Sequence, residues 1–236
     1  MTRNSLLVVS FAVVALGFAA ASVFAFSNAT WAPPAVAGSK NAAAVAEREQ
    51  YDNRISTGAL EVATFGGGCF WCVETNFDGV KGVVATISGY MGGALETADY
   101  QTVSTGRTKH IEVLQVIYDP KQTTFDKILG VFLRTTDVVD GGGQFCDRGP
   151  QYRPAVFAHG QAQLDAARKE TAALDASQRF DKPLAVEILK ASLFVPAEDY
   201  HQDYYKKNPL RYKSYRYGCG RDLRVKRLWG DEALTH

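Results

Sequence analysis

The sequence predicts a sheet with helices packed on it, an α/β or α+β domain, preceded by a segment that stands outside the fold. Three observations carry this. From Ala59 onward, β-prone runs alternate with runs at helical spacing. The 236 residues are 46% hydrophobic, 22% charged and 11% aromatic, enough to bury a core without metals or cross-links. No internal repeat or low-complexity tract interrupts the alternation.

Ala59 to Phe65 is apolar and β-prone and ends at three glycines; Phe70 to Phe77 then reads as a helix. Val83 to Tyr90 is a second strand, closed by Met91-Gly92-Gly93, and His110 to Tyr118 is a third, stopped by Asp119-Pro120. Phe125, Ile128, Leu129, Phe132 and Leu133 give Phe125 to Thr135 helical spacing. Ala155 to Ala158 is a short buried strand, Gln161 to Ala176 an Ala-rich helix and Ala185 to Lys190 a last strand. Thr136 to Arg153 is a long loop with concentrated polar groups, the kind that tends to carry function. The tyrosine-rich stretch from Asp199 to Tyr217 is expected to wrap over the sheet and deliver Cys219 to a defined place.

The domain, residues 58–236, follows two other segments. In 1–27, Arg3 precedes an uncharged, mostly apolar run from Leu6 to Phe26, the pattern of a basic n-region and an export h-region. Small-residue pairs at Val23/Ala25 and Ser27/Ala29 suit cleavage, yet the run is also about as long as a bilayer span, so signal peptide and membrane anchor (residues 6–26) both stand. Either way the chain is expected to be exported, periplasmic or tethered outside the cytoplasm. Residues 28–57, rich in Ala, Pro and Ser, read as a tether with a short polar helix near Ala42 to Tyr51.

A formal net charge of +1 gives no global field for nucleic acid, and Arg221 to Arg227 reads as a solvated C-terminal face. The chemistry concentrates at Gly66-Gly67-Gly68-Cys69-Phe70-Trp71-Cys72. Cys69 follows a strand and a glycine turn and begins a helix, where unpaired N–H groups and the positive helix end favour thiolate. Phe70 and Trp71 offer an apolar wall suited to a methyl group. A phosphate-binding loop does not fit, because no Lys-Ser/Thr follows the glycines. Two structural disulfides, the ordinary expectation for four cysteines in an exported protein, fit poorly, because a domain of this size needs no staples and Cys69 and Cys72 sit only three residues apart. A four-cysteine zinc site is a weak alternative, since Cys146 and Cys219 do not form a second short pair. A thioredoxin-like Cys-x-x-Cys exchanger is the stronger one, although Trp71 lies between the cysteines rather than before them.

Five segments taken in order resemble the A-type peptide methionine sulfoxide reductases. They are Phe65 to Cys72, Ser88 to Gly93, Tyr100 with Ser104 to Glu112, Asp147 to Arg153, and Pro196 to Pro209. The resemblance covers about Glu61 to Trp229 and implies an α+β, two-layer sandwich with a ferredoxin-like core and a long wrapping C-terminal segment. It implies thiol-dependent reduction of methionine-S-sulfoxide, protein-bound or free, in repair of oxidative damage. Cys69 would be the nucleophile and Glu112 the proton donor to the departing oxygen. Tyr100 and Tyr152 would hold that oxygen, Phe70 and Trp71 the methyl group, and Asp147 the substrate backbone. Attack would leave Cys69 as a sulfenic acid. A resolving cysteine would then form a disulfide, opened by an external thiol reductant such as a thioredoxin-like protein. Cys219, between Gly218 and Gly220, is ranked first for that role, Cys72 second and Cys146 third. His201 reads as a structural hydrogen-bonding residue rather than a base. No metal, no tightly bound cofactor and no nucleic-acid partner is expected, and the protein is expected to be a monomer.

Overall fold

The computed structural model describes residues 40–235, so the expected export segment 1–27 and the first part of the expected tether, 28–39, lie outside the described residues. The chain begins with α1 (Ala42–Glu49), α2 (Asp52–Ser56), β1 (Glu61–Gly66), α3 (Phe70–Phe77), β2 (Val83–Met91), α4 (Tyr100–Val103), β3 (Ile111–Tyr118) and α5 (Phe125–Arg134). It continues with β4 (Gly143–Gln144), β5 (Asp147–Arg148), β6 (Ala155–Ala158), α6 (Gln161–Ala176), β7 (Glu187–Lys190) and β8 (Phe194–Pro196). The C-terminal part forms α7 (Tyr204–Lys207), α8 (Pro209–Gly218) and α9 (Arg221–Trp229).

Six strands make one sheet in the order β7-β6-β1-β3-β2-β8, antiparallel except for β6–β7. Around its centre the chain runs β-α-β-β-α-β (β1, α3, β2, β3, α5, β6), the strands lying in the order β6-β1-β3-β2. This is an α+β sandwich. Alternation along the central strands sends Ala63, Phe65, Leu114, Val116 and Tyr118 into one core with Phe77 of α3, Phe132 of α5 and Trp229 of α9. Val62, Val113, Ile117 and Phe157 line the opposite face, where Tyr51 and Ile55 pack against them. Burying Phe65 among Phe77, Phe125 and Phe132 with ring centroids 4.8–6.4 Å apart fixes how α3 and α5 sit on the sheet.

The expected strands and helices form with shifts of a few residues, and Phe70–Phe77 and Gln161–Ala176 form as expected. Residues 40–57 differ from a free tether. The expected short helix is α1, but it docks: Asn41 Nδ2 donates to Pro196 O at 3.0 Å, and Ala44 N to Asp199 Oδ1 at 2.9 Å. Arg48 is buried, with Nε bonded to Gln115. A polar helix can bind here because Gln115 of β3 is itself a buried polar group needing a partner. The long loop 136–153 holds a small ribbon, β4–β5. Among the described residues no helix is long and apolar enough to cross a membrane.

Candidate active site

The turn from β1 into α3 is built around Gly68, whose φ of +86° favours glycine and whose Cβ would lie 2.6 Å from the Gln144 side chain. Gln144 is fully buried, accepting from Asp137 N at 2.9 Å and donating to Asp137 O at 2.8 Å, so it cannot yield. That turn presents Cys69 as the N-cap of α3. A cavity of about 90 Å³ opens over it, lined by Cys69, Phe70, Trp71, Tyr100, Glu112, Asp147, Tyr152 and Tyr215. Seven of these are the residues expected from the sequence, drawn from α3, α4, β3, β5 and the turn before Arg153. A larger, polar cleft of about 530 Å³ between α1, β2 and α7 contains none of them.

The carboxylates sit where helix-dipole reasoning placed only the thiol. Phe70 N–H donates to Glu112 Oε2 at 3.2 Å, and Cys69 N–H bonds the Asp147 carboxylate. The first free N–H groups of α3 are therefore taken by two acidic residues from other elements. Burial pushes Glu112 up to about 8, against the lowering bond from Phe70 and aided by the charges of Asp147 and Glu198. Burial also raises Asp147, which Tyr215 Oη holds by a 2.5 Å bond. The phenols of Tyr100 and Tyr152 are likewise raised, chiefly by burial, so both remain donors.

Cys69 and Cys72 hydrogen-bond each other and are both buried, at 8% and 3% exposure. The expected depression of the Cys69 thiol is corrected. Burial, the bond to Cys72 and the nearby Cys72, Glu112 and Asp147 charges push it well up. Its partner Cys72 is shifted the other way, lowered to about 7 by the bond donated from Cys69 and, against burial, by Arg221 and Arg216. Cys219 is not a free thiol that could meet Cys69. It forms a disulfide with Cys146 (Cα–Cα 4.9 Å), tying the β4–β5 ribbon to the end of α8, so the four sulfurs fall into two pairs.

Trp71 stacks on Tyr204 with centroids 3.6 Å apart, and its Nε1 donates to His201 Nδ1 at 3.0 Å. Burial lowers His201 to about 4, which keeps it neutral and able to accept that bond. Two residues of the site were not singled out from the sequence. Glu198 accepts from Tyr100 N at 2.8 Å and from Tyr90 Oη at 2.9 Å, fixing the start of α4. Tyr215 is one of many tyrosines in its stretch, and only the fold shows which of them faces Asp147.

The comparisons agree with this geometry. Residues 61–233 match the family described as peptide methionine sulfoxide reductase. The chain is 48% identical over 174 residues to the Vibrio cholerae "Peptide methionine sulfoxide reductase MsrA/MsrB", covering 74% of this chain and 46%, about half, of that longer relative. It is 46% identical over 171 residues to Listeria monocytogenes "Peptide methionine sulfoxide reductase MsrA", covering 72% of this chain and 97% of the relative. Among solved structures, reduced Mxr1 from Saccharomyces cerevisiae superposes with a TM-score of 0.61 at 31% identity, covering 64% of this chain and 87% of that one. Methionine sulfoxide reductase A of Corynebacterium diphtheriae gives 0.57 at 34% identity, covering 64% and 76%.

Proposed function

The chain belongs to the peptide methionine sulfoxide reductase family, oxidoreductases acting on sulfur, and we propose that it reduces methionine-S-sulfoxide in the cavity over Cys69. The observation that carries this reading is a buried carboxyl, Glu112, in the same small cavity as the Cys69 thiol, where burial favours its protonated form. Thiol attack on a sulfoxide needs a nucleophile on one side and a proton source for the oxygen on the other.

Phe70 and Trp71 wall the side that takes the methyl group, and Tyr100, Tyr152 and Glu112 converge on the oxygen. The proton of Cys69 moves along its hydrogen bond to Cys72, leaving Cys69 as the attacking thiolate. The Cys69 S–O bond forms as the substrate S=O bond breaks, Glu112 supplies the oxygen's proton, and the products are methionine and a Cys69 sulfenic acid. Cys72 then attacks that sulfur, water leaves, and a Cys69–Cys72 disulfide stores the two electrons' worth of oxidation. The structure's pairing of Cys219 with Cys146 and of Cys72 with Cys69 favours Cys72 over Cys219 as the resolving thiol. A second reading keeps Cys219 in the cycle. Cys146 is exposed, so an outside reductant reaches the Cys146–Cys219 disulfide more easily than the buried pair.

A thioredoxin-like thiol protein is the reductant this cycle requires. Export belongs to the same reading, supported by Arg3 and the apolar run Leu6 to Phe26. The test is turnover on the separate sulfoxide epimers with a dithiol reductant. Reduction of the S form alone, abolished by Cys69→Ser, is expected; normal turnover in Cys69→Ser would sink the assignment.

A further inference from the structure

Arg221, the first residue of α9, is 2% exposed. One end of its guanidinium donates to Gly67 O at 3.1 Å and the other to Thr135 O at 2.9 Å, and the plane lies 4.5 Å from the Phe145 ring centre. Its Nε has no partner among the described residues. Carbonyls and a ring satisfy donors but do not neutralise a charge. Of the nearby carboxylates, Asp222 is paired with Arg216 and Asp137 with Arg224, while Asp147, held by Tyr215 and the Cys69 N–H, feels the Arg221 charge without forming an ion pair with it among the described residues. A buried cation left without an anion is strongly unfavourable.

The charges that act most on Arg221 are those of Cys72, Arg216, Tyr212 and Tyr215, and Arg221 acts in turn on Asp147. Both tyrosines hold their protons more tightly than usual, chiefly because they are buried. Among these groups Cys72 acts most on Arg221, and its thiol is the one that gains a charge near neutral pH. We infer that Arg221 is the counter-ion of a Cys72 thiolate and so a positioning residue for the step in which Cys72 resolves the Cys69 sulfenic acid. This rests on the reading that Cys72 is the resolving thiol. In that step Cys72 S⁻ attacks Cys69 S–OH, the S–S bond forms, the S–O bond breaks, and the oxygen leaves with a proton as water, with no outside oxidant.

Other charged groups face Cys72. Cys69 donates to it, Arg216 sits beside it with Nη1 3.4 Å from the Cys72 carbonyl, and Asp147 opposes the thiolate. Arg216 already has a paired carboxylate in Asp222, and Arg221 is the one of the two that has none. The placement also explains the chain's path. Gly220, at φ +64°, turns α8 into α9 between the disulfide-bonded Cys219 and Arg221, so the external cross-link anchors the segment that inserts the internal charge.

The test compares full-length reduced wild type with Arg221→Met and Arg221→Lys. The pH at which Cys72 alkylates is read by peptide mass mapping, and the rate of Cys69–Cys72 disulfide formation after one equivalent of sulfoxide without reductant is followed. Arg221→Met is expected to raise the Cys72 midpoint by about one unit and slow disulfide formation near pH 7 about tenfold. The gap to wild type should close by pH 9, and Arg221→Lys should restore part of it. A purely structural defect would slow the step at every pH. An unchanged midpoint, or a slow rate that pH 9 does not rescue, overturns the inference. If Arg221→Met does not fold, a wild-type Cys72 midpoint at the ordinary thiol value overturns it as well. Cys72→Ser separates the two levels: two thiols lost at the wild-type rate in that variant would refute Cys72 as resolver, whereas the midpoint shift still decides the counter-ion.

Discussion

Replacing Glu112 by Gln keeps the side chain's shape and an oxygen to accept from Phe70 N–H, and removes the proton that burial retains. An ordinary carboxyl at 4.5 is protonated about 0.3% of the time at pH 7, whereas one at about 8 is protonated about nine-tenths of the time. The site therefore presents roughly 300-fold more acid than an exposed glutamate would. General acid catalysis contributes about 10²- to 10⁴-fold, so Glu112→Gln should lower the first-turnover rate by that much near neutral pH. The assay is methionine released per enzyme from one equivalent of S-sulfoxide, without reductant, across pH. Wild type should rise through about 7 as the Cys69–Cys72 pair loses its first proton. It should fall through about 8 as Glu112 loses its own. The variant should keep the rise and lack the fall. Stability gives an independent check. Glu112's folded value lies above its unfolded one, so the folded state binds more protons and stability falls as pH rises from about 4.5 to 8, by up to about 5 kcal/mol for this group. Glu74, also raised to about 8 by burial, gives a fall of the same sign, so Glu112→Gln should remove about half of the combined slope. A variant rate within threefold of wild type, or a descending limb that persists, would refute the general-acid role.

Two further substitutions probe the frame around the cavity. Glu198→Ala should strand the buried Tyr90 hydroxyl and free Tyr100 N, costing about 1–3 kcal/mol in a urea titration and slowing the first turnover; unchanged values would remove Glu198 from the support of Tyr100. Cys146→Ser should open a cross-link spanning 73 residues, lower stability by roughly 4 kcal/mol and raise the denatured, unreduced thiol count from two to three. Its KM should rise more than its kcat falls, because Asp147 and Tyr215 lose a common anchor.

The sheet was legible where one side of an element is apolar. Phe125, Ile128, Leu129, Phe132 and Leu133 mark the buried face of α5, and the uninterrupted β-prone run of β3 is buried at every position. The C-terminal helices were not. α9 buries Arg221, Val225 and Trp229, a stripe of helical spacing whose first member is an arginine, so a hydrophobicity pattern passes over it as a solvated basic run. Strand β8 is only Phe194–Pro196, too short for alternation to register. The cavity residues were recoverable as a set because family motifs supplied their order. Tyr215 and Glu198 act through contacts 68 and 98 residues away in sequence, which no local pattern encodes.

The protonation of the site was the least legible property, and its physics lies in competition for one helix end. A thiol at the start of α3 would ordinarily be stabilised as thiolate by free N–H groups. Here Glu112 and Asp147 take the N–H groups of Phe70 and Cys69, and their charges raise the Cys69 thiol instead. That works in the reaction's favour. Negative charge on the cysteine pair and on Glu112 repel each other in the same buried volume, so a thiolate there favours a protonated Glu112. Sulfoxide reduction needs that combination, thiolate with acid, and a helix end that stabilised Cys69 alone would have left the oxygen without its proton.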